Sequence, residues 1–356
     1  MNANGAQQAR QAKDPDALGA GTRPPLGVEV TRGAMVESRH QVCFAVADTS
    51  GKLLLHGGDF EQPIYARSAI KPLQALPLIE TGAADAFDLG DAEIALACAS
   101  HNAEPRHVET VLNWLERIGC APADLECGAQ APARDPDVAA LLRAGHKPGP
   151  EHNNCSGKHT GFLSVARHLG HPTQGYIRYE HPVQQRILGV LESLTGLDLG
   201  AAPRGIDGCG IPVIGMPLGN LALAMARLAD PADQPEARQK ACARVRRAMA
   251  AEPFMVAGSG RFCTEVMATT GERAVIKTGA EGVYCGALPE LGLGIALKAV
   301  DGAGRAAKVA MGGLLVELGA VTAGEAECLA QTLKPSVQNR AGLTVGEIRP
   351  AAKSPF

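Results

Sequence analysis

Aromatic side chains are scarce in this chain. Among 356 residues there are only 1 Trp, 4 Tyr and 7 Phe, while 46% are hydrophobic, so the core has to be assembled from small aliphatic side chains. Charge of one sign is also missing. The formal net charge is -3 and no long basic run occurs, which argues against nucleic acid or an anionic membrane as a main partner. No apolar run of about eighteen residues or more survives inspection. The best candidate, Ile211 to Leu228, is broken by Pro212, Gly215, Pro217 and Gly219 and carries Asn220 and Arg227.

The N-terminus lacks the charged-then-apolar pattern of a secretory signal. We therefore expect a cytoplasmic protein in which the 10 dispersed cysteines stay reduced, most of them as small buried hydrophobes. Residues 1–26 are polar and carry Gly and Pro, and read as a disordered tail. Neither an internal repeat nor a clear linker follows, so 27–356 reads as a single catalytic unit.

Strand-like runs cluster at the two ends of the chain. Val28–Thr31, Gln41–Ala47 and Lys52–His56 open it, with a turn at Asp48-Thr49-Ser50-Gly51. Ala274–Lys277, Gly282–Ala287 and Gly292–Leu297 come late. Helical spacing dominates between them: Ala66–Thr81 with a kink at Pro77, then Pro105–Ile118, Asp137–Ala144, a helix through Leu169, Pro182–Leu194, Leu218–Leu228 and Asp233–Ala251. Further helices are expected over Gly304–Leu318 and Ala323–Leu333. This order is not an alternating βαβ pattern. It predicts an α+β fold in which N- and C-terminal strands form one antiparallel sheet packed with helices.

The chemistry-bearing residues come in short elements. Arg67-Ser68-Ala69-Ile70-Lys71-Pro72 contains S-x-x-K, and on a helix residues three apart share a face. A lysine kept neutral by burial or a nearby cation can take the serine proton. Lys277-Thr278-Gly279 follows the strand-like Ala274-Val275-Ile276. There Gly279 permits close approach of backbone and substrate, and Glu281 can position an amine. Early S-x-x-K with late K-T-G is the pattern of penicillin-binding proteins and serine β-lactamases. Ser100-His101-Asn102 ends a small apolar run and reads as the rim of a site, occupying the slot where those proteins carry S-x-N.

Cys155-Ser156-Gly157-Lys158 places a thiol and an amine three apart at a helix start, where thiolate is favoured. Cys209, in the loop Asp207-Gly208-Cys209-Gly210, is a second thiol that can bend toward it. Two thiolates and a water would suit zinc, with a nitrogen as fourth ligand. Histidine is the usual nitrogen, and His152 and His159 are close in sequence; lysine is uncommon because its amine must first lose a proton. No C-x-x-C is present, so spacing alone favours buried structural cysteines.

In order along the chain, Arg67–Pro72, Ala99–Asn102, Asn153–His159, Gly205–Gly210, Lys277–Gly282 and the closing Asn339–Glu347 resemble the rhizobial-type L-asparaginases, the asparaginase II family. The likeness covers nearly everything after residue 26. It implies hydrolysis of L-asparagine to L-aspartate and ammonia, a fold similar to serine β-lactamases, penicillin-binding proteins and glutaminases, and a homodimer. It also implies two catalytic tandems, Ser68 with Lys71 and Ser100 with Lys277. A zinc ion on Cys155, Lys158 and Cys209 would support substrate binding more than bond cleavage. Arg67 and Asp207 would sit beside substrate or metal, and His101, Asn102, Gly279 and Glu281 complete the expected substrate-binding set. Three alternatives stay open: a β-lactamase or D,D-peptidase, a glutaminase, and a zinc-binding structural or sensor protein without enzymatic activity.

Overall fold

The computed structural model describes residues 22–352. The tail expected over 1–26 therefore lies outside the described residues up to 21. Its last part is structured: Thr22–Arg23 is a short strand, and the next strand begins at Leu26.

The strands are β1 (Thr22–Arg23), β2 (Leu26–Arg32), β3 (Met35–Asp48), β4 (Leu53–Gly57), β5 (Ile64–Tyr65), β6 (Arg204–Ile206), β7 (Pro212–Met216), β8 (Val275–Gly279), β9 (Val283–Leu288), β10 (Leu293–Ala299), β11 (Ser336–Gln338) and β12 (Thr344–Pro350). The helices used below are α1 (Lys71–Gln74), α2 (Leu76–Glu80), α3 (Asp91–Ala97), α4 (Pro105–Arg117), α5 (Ser156–His168), α6 (Pro182–Thr195), α7 (Leu218–Ala229), α8 (Glu236–Ala251) and α9 (Gly304–Glu317). Among the described residues no helix is long and apolar enough to cross a membrane.

The chain divides into two compact units. One contains the residues up to Ala69, Gly215–Ala232 and everything from Glu265 onward; the other contains Ile70–Ile214 and Asp233–Thr264. Each is assembled from separated segments, which is why no single linker was legible in the sequence.

The first unit is the expected sheet. Its order is β11-β12-β2-β3-β10-β9-β8, antiparallel throughout, with β4 also on β3 and β1 parallel to β4. N- and C-terminal strands meet where β3 pairs β10, with Val42 opposite Ala299 and Asp48 opposite Leu293. Every residue of β9 is buried, because both sheet faces are covered. Gly294 and Gly286 lie on opposite faces. A side chain at Gly294 would run into α7, 2.0 Å from the Ala222 carbonyl oxygen, whereas one at Gly286 would meet Met311 of α9. The small residues abundant in the sequence thus let helices press directly onto the sheet.

The second unit is mostly helical and centres on α5. From Ser156 to Ala166 this helix is buried on every side, so it lacks the apolar stripe of a surface helix. Gly157 and Gly161 let it close onto α3, with the ideal Cβ of Gly157 only 2.4 Å from the Leu96 carbonyl oxygen. The lone Trp114 of α4 donates its indole N–H to Ser164 Oγ at 3.0 Å. Ser164 and Thr160 then return their hydroxyls to carbonyls four residues back.

The stretch 66–81 differs from the single kinked helix expected. A 3₁₀ turn at Arg67–Ile70 is followed by the short helices α1 and α2. Pro72 and Pro77 each remove an N–H from the helical ladder, so no continuous helix forms. Glu93–Ala99, read as a short apolar segment, falls largely within α3. The strands β5, β6, β7, β11 and β12 had no counterpart in the sequence reading. They are short or half-exposed and carry little apolar alternation.

The two kinds of glycine make opposite predictions. Gly294→Ala should destabilise the protein by about 2–3 kcal/mol through overpacking against α7. Gly189→Ala, in α6 with open space around the new methyl, should stabilise it by about 0.5–1 kcal/mol through helix propensity. Denaturant midpoints test both, and equal midpoints for the two variants would contradict this packing.

Candidate active site

In the first unit, β8 carries Lys277, which is fully buried and donates from Nζ to the Thr278 carbonyl at 2.7 Å. Two residues on, Gly279 lies against the turn that bears Ser68. An ideal Cβ there would be 2.7 Å from the Ala66 carbonyl oxygen and 3.2 Å from the Ala69 nitrogen. Only glycine lets the K-T-G strand approach this turn so closely. Ser68 is half-buried, and Arg67 before it adopts φ 51, the left-handed region that an arginine seldom enters. Glu281 is exposed, also at positive φ (58), and its carboxylate lies beside Gly302 and interacts with Lys298.

In the second unit, Lys71 at the start of α1 is fully buried. Its Nζ donates to the Ala99 carbonyl and lies 3.1 Å from both Ser100 Oγ and Cys155 Sγ. Lys71 thus reaches the hydroxyl of Ser100, the serine expected to work with Lys277. The Asn154 side chain also touches the Cys155 sulfur, at 2.9 Å.

Backbone pairing places Ser100. The Ser100 and Asn102 N–H groups donate to Val256 and Ala257 carbonyls, each at 3.0 Å, and His101 N–H donates to Asn154 O at 3.2 Å. His101 is buried and both its nitrogens are engaged. Nδ1 accepts from Ala103 N–H at 3.0 Å, so Nε2 carries the proton and donates to Ser156 Oγ at 2.9 Å. Its ring stacks on His107 at 5.0 Å, which in turn stacks on Phe254 at 4.6 Å. Burial, with the neighbouring His107 second, holds His101 well below its ordinary pKa, in the neutral form.

Cys155, Lys158 and Cys209 also come together in this unit. Lys158 Nζ donates to Cys209 Sγ at 3.0 Å, and the two sulfurs are hydrogen-bonded to each other. That hydrogen bond, aided by Lys71 and Lys158, holds Cys155 well below the usual thiol range against the opposing effect of burial. Cys209, which donates the S–H and is itself buried, is pushed up. Burial alone would lower Lys158, but Cys155 and Cys209 raise it overall. By contrast, burial pushes Cys242 and Cys285 up to about 12, as expected of structural thiols. All 10 cysteines are free.

Asp207 adds negative charge near Lys158. It closes the loop before Cys209 by accepting from Gly208 N–H at 2.7 Å and Gly210 N–H at 2.9 Å. Of the histidines offered by sequence as the nitrogen donor, His152 Nδ1 accepts from Gly149 N–H at 3.1 Å, and His159 Nδ1 lies 2.7 Å from Tyr176 Oη while its buried Nε2 has no hydrogen-bond partner. Among the described residues no three His, Cys, Asp or Glu side chains form a metal-binding group. Any metal here would need an amine, and Lys158 is the amine in place. Two sulfurs and one amine make a soft donor set compatible with zinc, provided loading expels the Lys158 ammonium proton and the Cys209 thiol proton.

Glu104, Arg134, Ser259 and Arg261, which surround Asn102, went unread in the sequence. They are single polar residues in unrelated loops, and no motif spacing marks them.

The thiolate assignment has a direct test in metal-stripped protein. Replacing Lys71 or Lys158 with Met removes the electrostatic pull on Cys155, so its pKa should rise and its ultraviolet thiolate absorbance at neutral pH should fall. Absorbance unchanged in both variants would contradict the assignment.

No curated protein is similar to this chain at a significant level. Among the solved structures to which it is similar are the following two. Mglu, in its native form in the presence of 4.3 M NaCl, aligns with TM-score 0.39 and 16% identity over 72% of this chain. This chain spans 55% of the Mglu chain. The D-alanine carboxypeptidase AmpC from Burkholderia cenocepacia aligns with TM-score 0.32 and 13% identity, covering 86% of this chain and 98% of its own. Residues 28–350 fit the L-asparaginase II family, and that span includes every motif described above. The chain belongs to the L-asparaginase II family.

Proposed function

We propose that this protein hydrolyses the side-chain amide of L-asparagine to L-aspartate and ammonia by means of a lysine-activated serine. The observation that carries the mechanism is the buried Lys71 amine held 3.1 Å from Ser100 Oγ. A buried amine bonded to a hydroxyl is the arrangement a serine–lysine proton transfer needs. Family membership supplies the substrate class.

In this reading Ser68, the serine of S-x-x-K, attacks the amide carbon as Lys71 accepts its proton. Ser100, bonded to the same amine, serves the proton traffic. Backbone N–H groups stabilise the tetrahedral oxyanion. Lys277 is the candidate donor to the departing amine, which leaves as ammonia. Water then attacks the aspartyl ester on serine, giving a proton to Lys277 while Lys71 returns its own to the serine oxygen, which releases aspartate and restores the hydroxyl. Arg67 and Asp207 are the proposed contacts for the charged groups of the amino-acid substrate, and Gly279 and Glu281 belong to the same proposal.

Cys155, Lys158 and Cys209 would hold zinc. When bound, the ion would supply fixed positive charge for substrate binding.

Ammonia release from L-asparagine, L-glutamine and a chromogenic cephalosporin, run side by side, tests the reading. Asparagine should be hydrolysed and the cephalosporin left intact. Glutamine, longer by one methylene, should be disfavoured by about 1–3 kcal/mol. Ser68→Ala should lower kcat at least about 10³-fold and Lys71→Met about 10²–10⁴-fold, with both variants folded. Chelation should raise KM more than it lowers kcat. Near-full activity in Ser68→Ala with loss in Ser100→Ala would transfer the nucleophile role to Ser100. No ammonia from asparagine would sink the proposal.

A further inference from the structure

We propose that Glu104 is a positioning residue whose buried carboxylate clamps the segment carrying Ser100, and that Asn102 serves this clamp instead of touching substrate. The catalytic consequence rests on the function proposed above; the clamp itself does not.

Glu104 is 5% exposed, yet both its oxygens are engaged. Oε1 accepts from Ser259 N–H at 2.7 Å and from Asn102 Nδ2 at 3.1 Å. Oε2 accepts from the Ser259 hydroxyl at 2.7 Å and pairs with Arg134. One carboxylate thus ties together three stretches distant in sequence, around residues 102, 134 and 259. Charge-assisted bonds of this kind are the strong ones, and losing one partner in a buried network strands the rest. They hold the Glu104 carboxyl below its ordinary range although burial pushes it up.

Asn102 is 2% exposed and its amide is consumed by the same network. Besides Glu104, Nδ2 donates to the Ser259 carbonyl at 3.2 Å, and Oδ1 accepts from Arg261 Nη1 at 2.7 Å. Both amide protons have protein acceptors, which leaves no donor for a ligand. The approach is so close that Gly258, at φ 109, could carry no side chain. An ideal Cβ there would lie 2.4 Å from Glu104 Oε1 and 2.6 Å from Asn102 Nδ2. Two residues before Asn102, Ser100 meets Lys71, so a slip of this segment would move the hydroxyl relative to the amine. Misplacement by about 1 Å can cost on the order of 10²-fold in rate.

The test combines amide hydrogen exchange with kinetics. In Glu104→Gln, which keeps the shape but replaces an acceptor with a donor, exchange at Ser100 and Asn102 should quicken roughly tenfold or more while α5 and the sheet stay protected. With asparagine, kcat should fall roughly tenfold or more and KM stay within about twofold. Ser259→Ala, which removes only the hydroxyl bond to Oε2, should give the same pattern to a smaller degree. Unchanged exchange at Ser100 and Asn102 overturns the clamp, and so does faster exchange throughout the molecule. A raised KM at unchanged kcat overturns it as well, because Asn102 or Glu104 would then act in substrate binding. If the parent protein releases no ammonia from asparagine, the proposed activity falls, while the exchange measurement still decides the clamp.

Discussion

The second unit depends on keeping the Lys71 amine out of water. Burying such a group costs several kcal/mol unless it finds polar partners. Here it finds three, the Ala99 carbonyl, Ser100 Oγ and Cys155 Sγ. They come from the segment after α3 and from the start of α5. One amine therefore fixes the relation of both to α1.

The same economy of charge runs through the neighbouring cluster. Cys155, held low, lies between two lysines, and Lys158 is raised by the sulfurs it faces. Lys158 and the sulfurs compensate one another without water. Glu104 repeats the principle with opposite sign, a buried carboxylate satisfied by an arginine, a backbone N–H, a hydroxyl and an amide. Glycines make these arrangements possible. Gly157 brings α5 onto α3, and Gly258 brings its loop onto Glu104. In a chain poor in aromatics, close backbone contact takes the place of large interlocking rings.

Much of the fold was legible because its signals are local and periodic. The strands at both ends read as apolar runs and do form one antiparallel sheet, with β3 against β10. Helices α4, α6, α7 and α9 lie within a few residues of their expected bounds. Residues 66–81 depart from the expected helix with one kink at Pro77, because Pro72 and Pro77 together divide the stretch. The short strands β5 to β7 carry too few residues for periodicity to register.

The sequence by itself determined the family, the α+β order and the identities of Ser68, Lys71, Ser100, Cys155, Lys158, Cys209 and Lys277, because each sits in a short motif readable without neighbours. Only the tertiary structure decided partners. It set the Lys71 amine against Ser100 and the Lys158 amine against Cys209, and it engaged both amide protons of Asn102 within the protein. Hydrogen-bond partners at this depth are chosen by which groups have lost water together, and that depends on how segments far apart in the chain pack.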